Sequence, residues 1–183
     1  MKTNHKPFYF MRHGQTDWNK EGKTGGNDNV PLNKAGEREA EAVQDLLASL
    51  PIEHIYHSPV FRVVQTVHIA CKKLSCPRTP LDDLKEWDYG QWVGEHKDEY
   101  IQAHFDTLQP PGGQTREQFI ERVTRALEYT QQNADHPLIV SHAGVYWAIN
   151  HILQIPYESV ENCQVVAFTH QHRGWQKEFL TWK

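Results

Sequence analysis

Phe8-Tyr9-Phe10-Met11-Arg12-His13-Gly14-Gln15-Thr16 is the stretch on which the fold of this chain turns. Four large apolar residues make a short run of the buried-strand type. Polarity then changes abruptly, to arginine, histidine and glycine at the strand's carboxyl end. The segments that follow alternate between strand-like and helix-like patterns. In open α/β sheets of that kind, ligands bind beyond the carboxyl ends of the strands. His13 is therefore expected to be a catalytic histidine delivered by a rigid strand, with Arg12 beside it to hold an anion.

Working outward, Asp17 to Val30 reads as a polar, glycine-rich loop. Asn33 is a candidate N-cap for a helix to about Leu50, with Ala40, Val43, Leu46, Leu47 and Leu50 on one face. Ile52 to Tyr56 reads as a second strand. Ser58 as N-cap and Pro59 at the first helical position predict a helix start. That helix carries Arg62 in its first turn and buries Val63, Val67, Ala70 and Leu74. Leu81 to Leu84 reads as a short third strand, and Lys85 to Gly94 as an aromatic-rich loop holding Glu86. A helix is expected from Lys97 to about Phe105. Pro110-Pro111-Gly112-Gly113-Gln114 is a break, after which Thr115 and Gln118 form a capping box for a helix to about Asn133. Leu138-Ile139-Val140 reads as a strand ending at Ser141-His142-Ala143-Gly144, followed by a helix that stops near Pro156. Cys163–Phe168 and Trp175–Leu180 read as a β-hairpin. This order predicts a three-layer α/β/α sandwich with a mostly parallel sheet and an antiparallel edge, in one domain spanning residues 1–183.

Bulk properties narrow the function classes. The 183 residues are enough to bury a substantial core. With 38% hydrophobic and 23% charged residues and a mean hydropathy of -0.71, the composition is that of a soluble globular protein. No apolar run reaches the length of a membrane span. A net charge of -4 and a pI of about 6.3 argue against a basic nucleic-acid surface. Cys71, Cys76 and Cys163 have no metal-ligand spacing and suggest neither a disulfide framework nor a zinc site. The polar residues before Phe8 carry no leader-like apolar region, so a cytoplasmic location is expected. No nucleic acid, membrane, cofactor or metal is expected as a partner, and the oligomeric state is left open.

Two strand ends carry histidine and glycine together: Arg12-His13-Gly14 and Ser141-His142-Ala143-Gly144. Parallel strands bring both ends to one sheet edge, and the helix bearing Arg62 starts from that edge too. Helix amino ends add N–H donors and a positive dipole end. Such a set binds anions, phosphate above all. A neutral imidazole is a competent nucleophile toward phosphorus when its other nitrogen is held by a hydrogen bond. Two arginines spread over the equatorial oxygens would stabilise a transferring phosphoryl group. The leaving oxygen then needs a proton, which a carboxylic acid close to phosphate oxyanions can supply. Glu86 is the candidate.

Arg12-His13-Gly14-Gln15-Thr16-Asp17-Trp18-Asn19 resembles the signature of the histidine phosphatase superfamily, in its phosphoglycerate mutase-like branch. Ser58-Pro59-Val60-Phe61-Arg62-Val63-Val64-Gln65-Thr66 resembles the second block of that family. Glu86 to Gly94 resembles its acid-bearing loop, and Val140-Ser141-His142-Ala143-Gly144 its last block. The four blocks fall in family order and cover nearly the whole chain. The resemblance implies a phosphoglycerate mutase-like fold with His13 as the phosphorylated nucleophile. It further implies that Arg12, Arg62 and His142 complete the phosphate pocket. Glu86 would be the proton donor, and then the base that activates water. Asn19, Gln15, Gly26 and the Ala143 backbone would line the phosphate and substrate region. The chain departs from the family pattern at Gly25-Gly26, Asn29, Val93 and Gln114, all in the rim, where substrate is chosen.

The leading expectation is a metal-independent phosphatase acting on a small phosphorylated metabolite through phosphohistidine. Phosphoglycerate mutase-type transfer comes second, because Gly94 to Gln114 is short for a lid that must keep water from the intermediate. From a different class, a catalytically silent phosphate-binding module is disfavoured by the intact central set. A phosphoprotein phosphatase of the phosphohistidine type is disfavoured by the partial cap that Pro110–Gln118 suggests. Trp87, Tyr89 and Trp92 are expected to anchor their loop rather than stack on substrate, and His57 to pack near the site without reacting.

Overall fold

Alternation along Phe8–Arg12 (β1) sends Phe8 and Phe10 into one core cluster and Met11 into another, so this strand is covered on both faces. In the computed structural model, which describes residues 6–96 and 109–180, β1 lies inside a six-stranded sheet of order β3-β2-β4-β1-β5-β6. It pairs parallel with β4 (Pro137–Ser141) and antiparallel with β5 (Val165–Gln171). β2 (His54–His57) and β3 (Arg78–Pro80) extend the parallel half, and β6 (Gly174–Leu180) closes a hairpin with β5. The short helix α1 (Asp17–Lys20) follows β1 directly. Helices α2 (Lys34–Ala42), α3 (Gln44–Ser49) and α4 (Phe61–Ala70) cover the face of Met11, Ile55, Leu138, Val140 and Val165. Helices α5 (Arg116–Asn133) and α6 (Ala143–Ile152) cover the face of Phe8, Phe10, Ile139, Val166 and Phe168. The result is the three-layer sandwich with a parallel body and an antiparallel edge. Among the described residues, no helix is long and apolar enough to cross a membrane.

Several boundaries differ from the sequence reading, each for a local reason. The helix expected from Asn33 to Leu50 is capped by Asn33, but breaks at Val43 (φ -87°, ψ -4°) into α2 and α3. The break leaves Ala40, Val43 and Leu47 all inside the core. The loop from Asp17 contains α1, held by a capping box between Thr16 and Asn19. Helix α4 starts at Phe61 with Val60 at its cap position, not with Ser58, whose hydroxyl is committed to His142. The third strand is Arg78–Pro80, and Asp82–Leu84 is a 3-10 turn. Pro80 is tolerated because β3 is an edge strand, where a missing ladder donor costs little. Cys163 cannot open β5, since its φ of 53° is left-handed; its N–H instead donates to the Arg12 carbonyl at 3.0 Å. The helix expected over Lys97 to Phe105 lies outside the described residues.

What matters for the site is the alignment of three strand ends. Arg12 stands opposite Ser141 in the β1–β4 register, and His57 opposite Val140 in the β2–β4 register. The pairing continues one step past the strands. The His13 N–H donates to the Ser141 carbonyl at 2.9 Å, and the Ser58 N–H to the Val140 carbonyl at 3.1 Å.

Candidate active site

Each end of those strands contributes one group to a single buried cluster. His13 leaves β1, His142 leaves β4, and Arg62 comes from the first turn of α4. The two rings approach edge to face, with centroids 5.3 Å apart. Arg62 joins them: its Nε donates to His13 Nε2 at 3.1 Å, and its Nη2 to His142 Nδ1 at 3.0 Å. Guanidinium is a donor only, so both contacted nitrogens must be acceptors. The other nitrogens carry the protons. His13 Nδ1 donates to the Gly14 carbonyl at 2.7 Å, and His142 Nε2 to the Ser58 hydroxyl at 2.9 Å. The two imidazoles are thus held as opposite tautomers, both neutral.

Electrostatics agrees with that assignment. Burial, with Arg62 and Arg12 nearby, holds His13 well below its ordinary value of 6.5, and the Gly14 carbonyl only partly offsets this. Burial and the same arginines hold His142 well below 6.5 as well. Burial lowers Arg62 to about 10, so it remains a cation at neutral pH. Arg62 is further tied to the carbonyls of Gly26 and Asp28 at 2.7 and 3.1 Å. Arg12 donates from Nη1 to the Val160 carbonyl at 2.8 Å. Its Nε is buried and has no partner among the described residues, an N–H suited to an anion.

Glu86 enters from the loop after the 3-10 turn. Its carboxylate accepts the N–H of Trp87 at 2.9 Å and the N–H of Gly144 at 3.2 Å, at the amino end of α6. Gly144 has to be glycine for this approach: a Cβ there would lie 2.2 Å from Glu86 Oε1. The loop itself is braced from α5. Arg122 donates to the carbonyls of Asp83, Lys85 and Glu86 and to the Gln114 side-chain oxygen, at 2.8 to 3.1 Å. Asn27 adds a bond to the Glu86 carbonyl at 3.2 Å. Ser141 Oγ ties the end of β4 to the Leu84 carbonyl at 2.7 Å.

Arg12, His13, Arg62, Glu86, Asn19, Gly26 and Ala143 all line one cavity of about 390 Å³. His142 sits behind Arg62 with no exposed surface. Gln15 is turned elsewhere: its side-chain oxygen accepts from Asn33 at 3.0 Å and its N–H donates to Glu39, which ties the loop to α2. Trp87 is a buried anchor, stacked on Phe119 at 5.1 Å, while Tyr89 also faces the cavity. His57 is buried, with Nδ1 donating to the Ser58 carbonyl at 2.9 Å. Ser58, Arg122 and Gly144 escaped the sequence reading as site residues. For Gly144 the signal was present, since it directly follows the His142-Ala143 pair. Among the described residues, no group of three or more His, Cys, Asp or Glu side chains could hold a metal ion.

The pattern of the histidine phosphatase superfamily (branch 1) matches residues 8–183, and the chain belongs to that superfamily. It is 32% identical to agropine synthesis reductase of Rhizobium rhizogenes over 93% of this chain and 41% of that protein. The chain thus spans about two-fifths of that relative's length. The uncharacterized phosphatase PhoE of Bacillus subtilis (strain 168) is 32% identical over 76% of this chain and 72% of its own. The crystal structure of phosphoglycerate mutase from Thermus thermophilus superposes with a TM-score of 0.78 at 26% identity. That match covers 97% of this chain and 99% of that one.

Proposed function

We propose that this chain is a phosphatase that hydrolyses a phosphomonoester through a phosphohistidine on His13. The observation that carries the reading is the fixed tautomer of His13. Its proton sits on Nδ1 against the Gly14 carbonyl, so Nε2 carries the lone pair, which accepts from Arg62 Nε at the wall of a cavity that Arg12, Arg62 and Glu86 also line. In the first step Nε2 attacks phosphorus, an N–P bond forms and the ester P–O bond breaks. Glu86, as the acid, gives its proton to the departing oxygen, and the alcohol leaves. In the second step the Glu86 carboxylate takes a proton from water while the water oxygen attacks phosphorus. The N–P bond breaks, phosphate is released, and both side chains return to their starting states. Arg62 and the unmatched Nε–H of Arg12 supply donors for the phosphoryl oxygens. A small phosphorylated metabolite fits this cavity, whose volume of about 390 Å³ is in the ordinary range for small-molecule sites.

The test is the dependence on leaving group. Glu86→Gln should slow turnover by about 10²–10⁴ for alkyl phosphates, whose alcohols need protonation, and far less for aryl phosphates with acidic phenols. An equal loss for both kinds would remove Glu86 as the acid. The second reading, mutase-type transfer, is supported by likeness to the Thermus thermophilus enzyme over nearly all of both chains. It makes the same phosphohistidine but returns the phosphoryl group to a substrate oxygen.

A further inference from the structure

The cavity is much larger than a phosphoryl group requires, and its remaining walls are aromatic. At about 390 Å³ it is in the range of pockets that enclose a whole small molecule, roughly 300–1,000 Å³. Trp18, Tyr89, Trp147 and Tyr157 line it from four separate stretches of chain, and Val30 adds an apolar side chain. Two of these rings are backed firmly. Trp147 stacks on Trp87 at 6.0 Å and carries the Arg116 guanidinium over its ring at 5.1 Å. Trp18 lies beside Gly94, its ring 3.5 Å from where a Cβ would stand, an ordinary contact distance. Tyr157 is half exposed and stands where the cavity meets solvent.

Among the described lining residues, Arg12, Arg62 and Glu86 carry the charge around His13, and Lys23 is the other charged side chain. Arg62 is held by two histidines and two carbonyls, and Arg12 by the Val160 carbonyl. The third cation among the described lining residues is Lys23, already paired with Glu21 at 2.8 Å. For a substrate with a second anionic group, such as a phosphorylated hydroxy acid, the described lining offers, besides Arg12 and Arg62, one lysine already paired with Glu21. A flat apolar group would instead meet aromatic side chains from four stretches of chain.

We propose that the substrate's alcohol portion is a planar, uncharged aromatic or heteroaromatic group, seated among Trp18, Trp147 and Tyr157. This rests on the phosphomonoesterase reading and names the substrate class of that same site. The test compares three phosphate esters of primary alcohols, so that leaving-group chemistry is nearly matched: 2-naphthylmethyl phosphate, glycerol 1-phosphate and 3-phosphoglycerate. The expected result is a kcat/KM for the naphthylmethyl ester at least about 30-fold above both others, the scale of burying and stacking one bicyclic ring. Trp147→Ala and Trp18→Ala should each cut that preference about tenfold, while Trp147→Phe, which keeps a flat ring, should restore most of it. Equal or better turnover of glycerol 1-phosphate or 3-phosphoglycerate, with phosphate still trapped on His13, would overturn the substrate class and leave the phosphatase reading standing. No turnover of any ester and no phosphohistidine would overturn the phosphatase reading, and the proposal with it.

Discussion

Arg62 is the residue through which the site is assembled, since one guanidinium fixes the protonation of two histidines from opposite sides. Its Nε faces His13 Nε2 and its Nη2 faces His142 Nδ1, at 3.1 and 3.0 Å. A bound phosphate would compete for the same N–H groups, exchanging histidine acceptors for phosphate oxygens and freeing the Nε2 lone pair for attack. Glu86 is placed by a close neighbour as well as by the Trp87 N–H. Gly144 leaves just enough room for its carboxylate and donates to it. Gly144→Ala is expected to displace the carboxyl group and lower kcat about 100-fold, the usual cost of misplacing a reacting group by an ångström. Helix propensity favours alanine by about 1 kcal/mol, so thermal unfolding should be little changed. Steady-state kinetics alongside a melting curve check this, and a kcat within twofold of the parent would contradict it.

At the scale of the element, the loop that carries Glu86 has little regular structure and is held in shape from outside. Arg122 reaches across from α5 to three backbone carbonyls of the loop and to Gln114. Gln114 in turn accepts from the Trp87 indole at 2.8 Å, and its N–H donates to the Asp88 carbonyl at 2.9 Å. Gln91 donates to the Pro111 carbonyl at 2.9 Å, so the Pro-Gly segment props the loop rather than merely interrupting the chain. Arg122→Met keeps the side-chain length but leaves those carbonyls without their donor. It should destabilise the protein by about 2–3 kcal/mol, read by denaturant unfolding. It should also lower kcat more for alkyl than for aryl phosphates, because the acid is what moves. A variant with unchanged unfolding and unchanged leaving-group dependence would remove Arg122 from this role. The contrast between Glu86 and Arg122 shows what was legible in the sequence. Glu86 stands in a block with a recognisable neighbourhood of Trp87, Tyr89, Gly90 and Trp92. Arg122 is one arginine on an amphipathic helix, and nothing local distinguishes it from a solvated one, since its partners are backbone carbonyls about 36 to 39 positions away. Strand β1 was readable because polarity changes abruptly after Met11, at the end of a run of large apolar residues. Edge strand β3 was not, because its burial pattern is mostly exposed and its residues are Arg, Thr and Pro.

Over the whole molecule, the parallel half of the sheet is what makes the site possible, since the ends of β1, β2 and β4 share one edge and deliver His13, Ser58 and His142 together. That convergence has a thermodynamic consequence. His13 and His142 are neutral in the fold and titrate well below 6.5, whereas the unfolded chain protonates them near 6.5. Below that pH the unfolded state binds more protons, so stability is fully present above about pH 6.5 and is lost as pH falls. Each histidine should contribute a slope approaching about 1.4 kcal/mol per pH unit while the fold keeps it neutral. Denaturant unfolding at pH 7, 6 and 5 should show this decline, and a flat profile would contradict the buried, neutral pair. The central claim is that His13 Nε2 takes the phosphoryl group, and rapid-quench trapping with a ³²P-labelled phosphomonoester tests it most directly. The account predicts acid-labile, base-stable label on His13 in the protein and none in His13→Ala, which should also lose turnover. Turnover without label on His13, or a His13→Ala variant that keeps most of its activity, would contradict it.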